Sequence, residues 1–501
     1  FVTIDPKTAK DFDDAVCLIE EEGKRTLWVA IADVAHYIEP ETLLDEEAKA
    51  RATSVYLPHA VLPMLPSRLS DNLCSLRAKV PRLAMTVSME IENDCTIGNV
   101  AAFESIIEVQ ENLSYEDALD NPKFQNMMDL AEELRRNEIR LNLNSAELRP
   151  RILEDEISVN VKWPNKATEM IETFMVATNN SIGILLGEKN APLPWRCHAP
   201  PDAPEVEELN AKFKNMGIDI ELPMPSVKKF GQSEEAELAS MLGDWANSGN
   251  IEISGLENSN DQDDVAQYLK NVLDPDARKD ILISLKEAQQ KANDLKSATR
   301  RVVDHGLFYL LQRAIYSPEN LGHFGLNLNA YVHFTSPIRR YADLVVHRQL
   351  KSFLNEEDWV HSEEEMTEIS EQCTANGQEA KSIEWELVAN VFHLHLLRGG
   401  TIESVENSQE KLELKQWPAR VVGLRNPWIF LDLLDDGAIR GKLHVSQLGD
   451  GRQLSTDEFG LHLINENNEE SNDIILSLGQ KFPCRLRGLD LWSGKLDLAP
   501  I

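Results

Sequence analysis

The spacing of apolar residues changes twice along this chain of 501 residues. In the first 110 residues, short apolar runs such as Leu27 to Ala32 and Leu83 to Ile91 are separated by polar turns, a pattern typical of β-strands. From Ser114 the apolar residues recur mainly at helical spacing, and short strand-like runs return after Gly399-Gly400. This order predicts a mixed α+β fold that ends in a small antiparallel β-barrel.

The same spacing predicts individual elements. Ser114, followed by acidic residues, predicts a helix start, because serine caps helices and acidic residues favour the first turn. Lys166 to Leu186 is apolar around most of its circumference, which predicts a helix buried against a sheet. Further helices are predicted at Leu43 to Ala52, Phe124 to Leu143, Asp274 to Tyr316, Tyr331 to Phe353 and Glu363 to Arg398, and barrel strands at Trp417 to Asp435, Gly437 to Leu448 and Gly479 to Leu498.

Charge and hydropathy exclude some classes of protein. The chain has 84 acidic and 50 basic residues, a formal net charge of -34, which argues against nonspecific adhesion to nucleic acid or anionic membrane. Membrane helices need roughly 18 apolar residues, and the best candidate, Met170 to Gly187, is interrupted by Glu172 and two asparagines. We therefore expect no membrane span.

The cysteines and the chain start bear on the compartment. Six cysteines are spread over the sequence without a Cys-x-x-Cys pair, so neither a disulfide framework nor a zinc knuckle is indicated. Free thiols in a reducing cytoplasm are the expectation. No signal peptide precedes the first strand, and the chain opens on Phe1 rather than Met, which leaves open whether a segment precedes it.

Four carboxylates within ten residues form the most unusual local feature: Asp5, Asp11, Asp13 and Asp14. At this density carboxylates repel one another, so the group needs either solvent or hard cations, and oxygen-only ligands suit Mg²⁺ or Mn²⁺. Two such ions about 4 Å apart would serve phosphodiester hydrolysis. A solvated acidic turn is the alternative, whereas an EF-hand is disfavoured because its glycine and final glutamate are absent.

A second motif supplies cations. The stretch from Thr335 to Tyr341 contains adjacent arginines, Arg339 and Arg340, after Pro337. A helix that starts at this proline would present backbone N–H groups and guanidinium forks to a phosphate. An ordinary surface helix start is the alternative interpretation.

Taken together, these motifs resemble those of the ribonuclease II superfamily, and most closely its ribonuclease R branch. The resemblance covers nearly the whole chain and rests on eight motifs that occur in the family's order. They are Thr3 to Asp14, Val29 to Val34, Ser54 to Pro58, Pro63 to Pro66, Leu69 to Leu76, Met170 to Met175, Arg196 to Pro201 and Gly322 to Arg348.

The resemblance implies processive hydrolysis of single-stranded RNA from the 3′ end, with Mg²⁺ (two ions, with Mn²⁺ as a substitute) and release of nucleoside 5′-monophosphates. Asp5 and Asp14 match ligands of one metal, while Asp11 and Asp13 match residues that serve the second metal and the attacking water. Loss of Asp13 is expected to stop the chemistry and spare RNA binding. Arg339 matches the arginine at the scissile phosphate; Arg340 is either a backbone contact or a structural ion-pair partner.

Further positions match RNA contacts of the family. Tyr115 matches an aromatic residue that packs on the 3′-terminal nucleotide, although a core-facing helix residue is the alternative. Tyr56 matches an aromatic residue that clamps a base further from the end. Glu172 matches a carboxylate near the terminal ribose, and a carboxylate buried on this apolar helix would be costly without such a role. Arg77 and Arg196 are candidate contacts to the RNA backbone.

The resemblance also implies an organisation into domains. Residues 1–398 match the catalytic RNB-type domain, residues 399–415 a linker, and residues 416–501 an OB-fold barrel that presents Trp428, Phe430 and His444. The cold-shock-type domains that usually precede the catalytic domain are expected to be absent, and the chain is expected to be a monomer. The alternatives are a catalytically inactive RNA-binding relative and an endoribonuclease.

Overall fold

The computed structural model describes most of the chain. The described residues are 1–137, 147–153, 156–201, 203–223, 275–293, 300, 303–304, 306–307, 310–397, 417–432, 440–448, 454–457, 461–465, 474–490 and 495–500. The predicted linker at residues 399–415 lies outside them, so the predicted division into domains stays a prediction. No described helix is long and apolar enough to cross a membrane.

The first part of the chain forms the strands predicted for it. Four strands form an antiparallel sheet in the order Asp14–Glu21, Lys24–Ala32, Pro81–Ile91 and Ile97–Glu108, and the short strand Thr3–Asp5 pairs in parallel with Asn112–Ser114. The strands are β1 (Thr3–Asp5), β2 (Asp14–Glu21), β3 (Lys24–Ala32), β4 (Val55–Tyr56), β5 (Val61–Leu62), β6 (Pro81–Ile91), β7 (Ile97–Glu108), β8 (Asn112–Ser114), β9 (Glu147–Leu153), β10 (Glu156–Lys162), β11 (Trp195–Cys197) and β12 (Ile315–Ser317).

Helices cover both faces of this sheet. The described helices of the chain are α1 (Leu43–Arg51), α2 (Tyr115–Leu119), α3 (Gln125–Asn137), α4 (Lys166–Gly187), α5 (Ala203–Asn215), α6 (Pro275–Asn293), α7 (Tyr341–Leu354) and α8 (Glu363–Leu397); of these, α5 and α6 form a separate buried cluster. The predictions for α1, α4 and α8 are confirmed, and Ser114 caps α2 in a capping box with Asp117.

Strand alternation explains why the sheet is covered on both sides. In β3, Leu27 and Val29 point into a core that contains Phe174 of α4, whereas Ala30 belongs to a second core that contains Leu344 of α7. Successive residues of a strand face opposite sides, so an unbroken apolar run buries both faces. The predicted burial of α4 against a sheet is therefore confirmed.

Two helix predictions extend too far. The helix predicted from Tyr331 begins only at Tyr341, because Pro337 lies in a turn and Arg340 has an extended backbone that bridges to Thr53. The helix predicted up to Tyr316 includes α6, but residues 315–317 form β12, which pairs with β11. Tertiary strand pairing overrides the local spacing in both places.

The end of the chain forms the predicted barrel with one difference in topology. Its strands are β13 (Trp417–Arg425), β14 (Trp428–Asp432), β15 (Arg440–His444), β19 (Lys481–Asp490) and β20 (Lys495–Pro500), closed in the order β13-β14-β15-β20-β19. The β15–β20 pair is parallel, so the barrel is not wholly antiparallel. A separate sheet, which was not predicted, contains β16 (Leu454–Thr456), β17 (His462–Asn465) and β18 (Ile474–Ser477).

Candidate active site

The four predicted aspartates lie at the junction of the first two strands. Asp5 ends β1 and Asp14 begins β2, and Val2 bridges to Val16 so that the two strands run side by side. The connecting loop holds Asp11 and Asp13. Asp13 is only 4% exposed, and the other three aspartates are half-buried. The fold thus draws the carboxylates into the protein rather than into an open, solvated turn.

Asp13 is held by the turn that carries the predicted phosphate-binding arginine. Its Oδ1 accepts a hydrogen bond from the backbone N–H of Ile338 at 2.8 Å, and its Oδ2 lies 3.5 Å from Nε of Arg339. The Arg339 side chain is 42% exposed and also donates to Ser336 Oγ at 3.0 Å. One guanidinium therefore contacts the buried carboxylate and still presents an open face.

Burial makes this group of carboxylates hard to ionise. Burial, strengthened by the charges of Asp14 and Asp13, raises the pKa of Asp5 from 3.8 to about 8. Burial also raises the pKa of Asp14 to about 6 against the opposing effect of Arg339, and it raises the pKa of Asp13 well above its ordinary value. The site is short of positive charge.

The donor set fits a hard divalent cation. Oδ2 of Asp5 is buried and has no hydrogen-bond partner among the described residues. Within that same part of the chain, no three Asp, Glu, His or Cys side chains form a ready-made metal cage. Mg²⁺ does not require one, because it keeps several waters and usually takes one or two carboxylates together with substrate phosphates. The predicted ions stay a prediction.

Tyr56 lies against the aspartates through its hydroxyl group. The Tyr56 hydroxyl donates to Oδ2 of Asp11 at 2.8 Å, and the Tyr56 backbone N–H donates to Glu384 of α8 at 2.7 Å. The residue is 39% exposed, so part of the ring remains accessible. The family resemblance predicts a base-stacking ring at this position, and the contact with the carboxylate was not predicted.

Tyr115, the first residue of α2, directly follows Ser114, which pairs with Asp5 where β1 and β8 run in parallel. Burial raises the pKa of its hydroxyl, and the nearby carboxylates of Asp5 and Asp14 raise it further. The capping box that starts α2 fixes the position of this residue. Tyr56, Tyr115, Arg339 and the four aspartates therefore form one group, here called the aspartate site.

Arg340 is engaged in a structural ion pair. Its Nε and Nη2 donate to the two carboxylate oxygens of Asp343, each at 2.8 Å, and Asp343 is fully buried. The Asp343 carboxylate also accepts from the backbone N–H of Ser336 at 2.7 Å. Of the two roles left open by the sequence, the geometry favours the ion-pair partner that supports the turn carrying Arg339.

Glu172 does not have the environment that was expected of it. It lies on α4, but its side chain is 56% exposed, and Oε2 is 3.8 Å from Nη1 of Arg135 on α3. The premise that it is a buried carboxylate without a partner is wrong, because the Glu172 side chain lies on the solvent-exposed side of α4, next to Arg135 of α3. A contact of Glu172 with the terminal ribose stays a prediction that rests on the family resemblance.

Among the described residues, the other two predicted arginines form no hydrogen bond or ion pair with the four aspartates, although Arg77 is next to a residue bonded to their loop. Arg77 is exposed and follows Leu76, whose N–H donates to the carbonyl of Phe12 at 3.0 Å. Arg196, in β11, has its guanidinium carbon 4.8 Å from the ring centroid of Tyr316. Their predicted contacts with RNA stay predictions.

Two further arginines near the site, Arg149 and Arg151, were not predicted and lie in the hairpin of β9 and β10. Nη2 of Arg151 lies 3.5 Å from Oγ1 of Thr8, in the loop that carries the aspartates. The positive charge of Arg149 opposes the rise that burial causes in the pKa of the Tyr115 hydroxyl. A signal was present in the sequence, because arginines two residues apart share one face of a strand, but Pro150 between them obscured the strand.

Comparison with known proteins identifies relatives over most of the chain. A family model described as "RNB domain" matches residues 1–356. Ribonuclease R of Thermotoga maritima is 32% identical over 416 residues, which cover 77% of this chain and 51% of that protein. Ribonuclease R of Escherichia coli is 28% identical, covering 100% of this chain and 56% of that protein. The chain thus spans little more than half the length of these relatives.

Solved structures show the same fold. Mycoplasma genitalium RNase R in complex with ribose methylated single-stranded RNA matches with a TM-score of 0.76 and 23% identity, covering 100% of this chain and 70% of that chain. Yeast Ssd1, described as a pseudonuclease, matches with a TM-score of 0.61 and 20% identity, covering 89% of this chain and 49% of that chain. At these identities the likeness concerns the fold.

Proposed function

The chain belongs to the RNB-domain family, and on this basis we propose that it is a Mg²⁺-dependent 3′→5′ exoribonuclease. It would hydrolyse single-stranded RNA processively and release nucleoside 5′-monophosphates. The observation that carries the proposal is the contact between buried Asp13 and half-exposed Arg339, because it joins a site short of cations to a group that can bind a phosphate.

Each residue of the aspartate site has a role in this proposal. Asp5 and Asp14 would hold one metal, and Asp11 and Asp13 would serve a second. Mg²⁺, when bound, supplies positive charge that polarises the phosphoryl oxygens. The open face of Arg339 would bind the non-bridging oxygens of the scissile phosphate, since a planar guanidinium matches their geometry. Tyr115 and Tyr56 would stack on bases, which is tolerant of sequence.

Net charge alone would have argued against an RNA partner. The charge of -34 describes the outer field of the protein, whereas an RNA end inside a site meets local groups such as Arg339 and the bound cations. Acidic exposed segments and a cation-requiring site can therefore coexist in one chain.

One cleavage assay tests the proposal. A 5′-labelled single-stranded RNA, with either a free or a phosphate-blocked 3′ end, is incubated with Mg²⁺ and the wild-type protein, Asp13→Asn or Asp358→Asn. Asp358 is an exposed aspartate and serves as the matched control. We expect wild type and control to shorten the unblocked RNA to a short end product, and Asp13→Asn to be at least about 10²-fold slower, the scale for removing one charge-stabilising group.

The alternatives predict different products. Internal cuts that ignore the 3′ block would show an endoribonuclease. Binding of RNA without cleavage by the wild type would show an inactive relative, an outcome that the similarity in fold to the pseudonuclease Ssd1 makes worth testing. Either result would contradict the proposed exoribonuclease. Against the inactive relative, all four aspartates and Arg339 are present, and a chain without catalysis gains nothing from a costly cluster of carboxylates.

A further inference from the structure

The hairpin of β9 and β10 has two chemically different faces. Arg149 and Arg151 alternate with Pro150 in β9; Pro150 is buried, Arg149 is half-buried and Arg151 is exposed. In β10, Asn160 lies opposite Arg149, and Ser158 lies opposite Arg151. Side chains two apart in a strand share one face, so the two guanidiniums stand together.

The apolar side of the hairpin is anchored to the rest of the protein. Val159 of β10 is 4% exposed and belongs to one buried cluster with Phe392 of α8 and with barrel residues such as Val421 and Leu431. Strands β9 and β10 both pack against α8. The two arginines are therefore presented by an element that is held by packing, which limits the entropy lost when they bind a ligand.

The basic side of the hairpin borders the aspartate site. Arg151 approaches Thr8 at 3.5 Å, and the backbone N–H of Ile152 donates to the carbonyl of Pro58 at 3.4 Å. Thr8 lies between Asp5 and Asp11, and Pro58 lies two residues after Tyr56. The hairpin thus contacts both chain segments that carry the predicted metal and base contacts.

Arg149 shares a strand face with Arg151 and lies within electrostatic reach of Tyr115. Burial raises the pKa of the Tyr115 hydroxyl, and among the opposing influences are the positive charges of Arg339 and Arg149. Three guanidiniums, those of Arg339, Arg149 and Arg151, therefore border the site from two separate elements.

We propose that Arg149 and Arg151 bind phosphates of the RNA strand next to its 3′ end. The inference rests on the proposed function and extends it to a phosphate-binding site on the hairpin. Four carboxylates repel a polyanion, and Arg339 is already shared with Asp13, so further cations at this border lower the electrostatic cost of bringing RNA phosphates close. Guanidiniums suit this task because each can donate two hydrogen bonds to one phosphate.

The test measures the salt dependence of RNA binding. Arg149→Gln, Arg151→Gln and the double variant are made in the Asp13→Asn background, and binding of labelled single-stranded RNA is followed by fluorescence anisotropy across a salt series. Each lost phosphate contact should reduce the slope of log K against log salt by about 0.7, the value for single strands. Arg300→Gln is the matched control, because its side chain is 50% exposed and is ion-paired to Asp304.

Repeating the measurement with RNA of different lengths shows whether the contact lies near the 3′ end. Since the hairpin borders the aspartate site, the reduced slope should already be present with a tetranucleotide, whereas a contact further along the strand would affect only longer RNA. Unfolding in urea, with and without Mg²⁺, checks that the variants fold and retain their response to the metal.

Two failures are distinguishable. If the Asp13→Asn parent binds RNA and the hairpin variants keep its slope, the hairpin proposal is wrong while the proposed function stands. If neither the parent nor the wild type binds RNA, the proposed function is wrong and the hairpin proposal is lost with it.

Discussion

Two groups of aspartates in this protein differ in whether the chain itself supplies partners for their carboxylates. Asp45, on α1, receives hydrogen bonds from Arg348 at 2.6 Å and from the Tyr341 hydroxyl at 3.0 Å, and Asp343 has a two-fold hydrogen-bonded contact with Arg340. In the aspartate site, by contrast, Asp5 has a buried oxygen with no partner among the described residues.

The difference distinguishes carboxylates that serve the fold from those for which we propose a metal-binding role. A buried charge that serves only the fold is expected to be paired within the chain, because an unpaired one is expensive. In the aspartate site, Asp13 contacts the partly exposed Arg339, and Asp5 and Asp14 carry raised pKa values. Their missing partners are expected from outside the chain, as cations and as substrate phosphates held by those cations.

The largest effect on the free energy of unfolding is expected for the aspartates that are paired within the chain. Asp45→Ala leaves the buried Arg348 guanidinium without its carboxylate, and removal of one partner of a buried ion pair costs about 3–5 kcal/mol. Urea unfolding with and without Mg²⁺ measures it. The loss should be independent of Mg²⁺; a loss below about 1 kcal/mol would show that Asp45 is not a structural carboxylate in this sense.

A smaller effect is expected in the pH dependence of the wild-type protein. Asp5, with its pKa raised to about 8, contributes stability that is fully present below its unfolded value of 3.8 and is lost as pH rises through 8. His198, His347 and His361, with pKa values lowered to about 4, act in the opposite sense only below about 6.5. Stability without metal should therefore fall between about pH 6.5 and 8.

Mg²⁺ should remove this decline, because a bound cation favours the ionised carboxylates and binding releases protons. The measurement is the urea midpoint at several pH values in that window, with and without the metal. Asp5→Asn is the control and should show a shallower decline. A wild-type midpoint that is constant with pH and insensitive to Mg²⁺ would count against a cation-requiring site.

The smallest effect is expected for the hydroxyl of Tyr56. Tyr56→Phe removes the hydrogen bond to Asp11 but keeps the ring, and a partly exposed bond of this kind is worth about 1 kcal/mol, or about fivefold. We expect a higher Mg²⁺ concentration for half-maximal cleavage with unchanged affinity for RNA. Tyr56→Leu, which also loses the ring, should weaken both, and equal behaviour of the two variants would argue against a role for the hydroxyl.

Those features of the aspartate site that depend only on residues close together in the chain could be predicted from the sequence. Asp5 and Asp14 lie at strand ends defined by short apolar runs, and Ser114 and Asp117 form a capping box that depends on only four residues. The partner of Asp13 could not be derived this way. Ile338, which donates to it, lies 325 residues further along the chain, so only the family resemblance connected the two motifs.

The predictions failed where tertiary contacts decide the local structure. Pro337 favours a helix start, but Asp343 accepts from Ser336 and pairs with Arg340, which holds the preceding residues in a turn. The hairpin of β9 and β10 was not predicted although Ile157, Val159 and Val161 alternate with polar residues in β10, because Pro150 interrupts the pattern of β9 and packing against α8 and the barrel holds the pair in place. Burial of Glu172 was overestimated because its partner, Arg135, belongs to another helix.

The most direct test of the central claim compares wild type and Asp5→Asn in their free energies of unfolding, each with and without Mg²⁺. If the aspartate site is built for cations, Asp5→Asn should be more stable than wild type without metal, on the order of 1 kcal/mol, since it removes a buried carboxylate oxygen with no partner. Wild type should gain stability with Mg²⁺, by about 2.7 kcal/mol at a hundredfold excess over Kd, and the variant should gain less. A variant that is less stable than wild type in both conditions, with no response of either protein to Mg²⁺, would contradict the account.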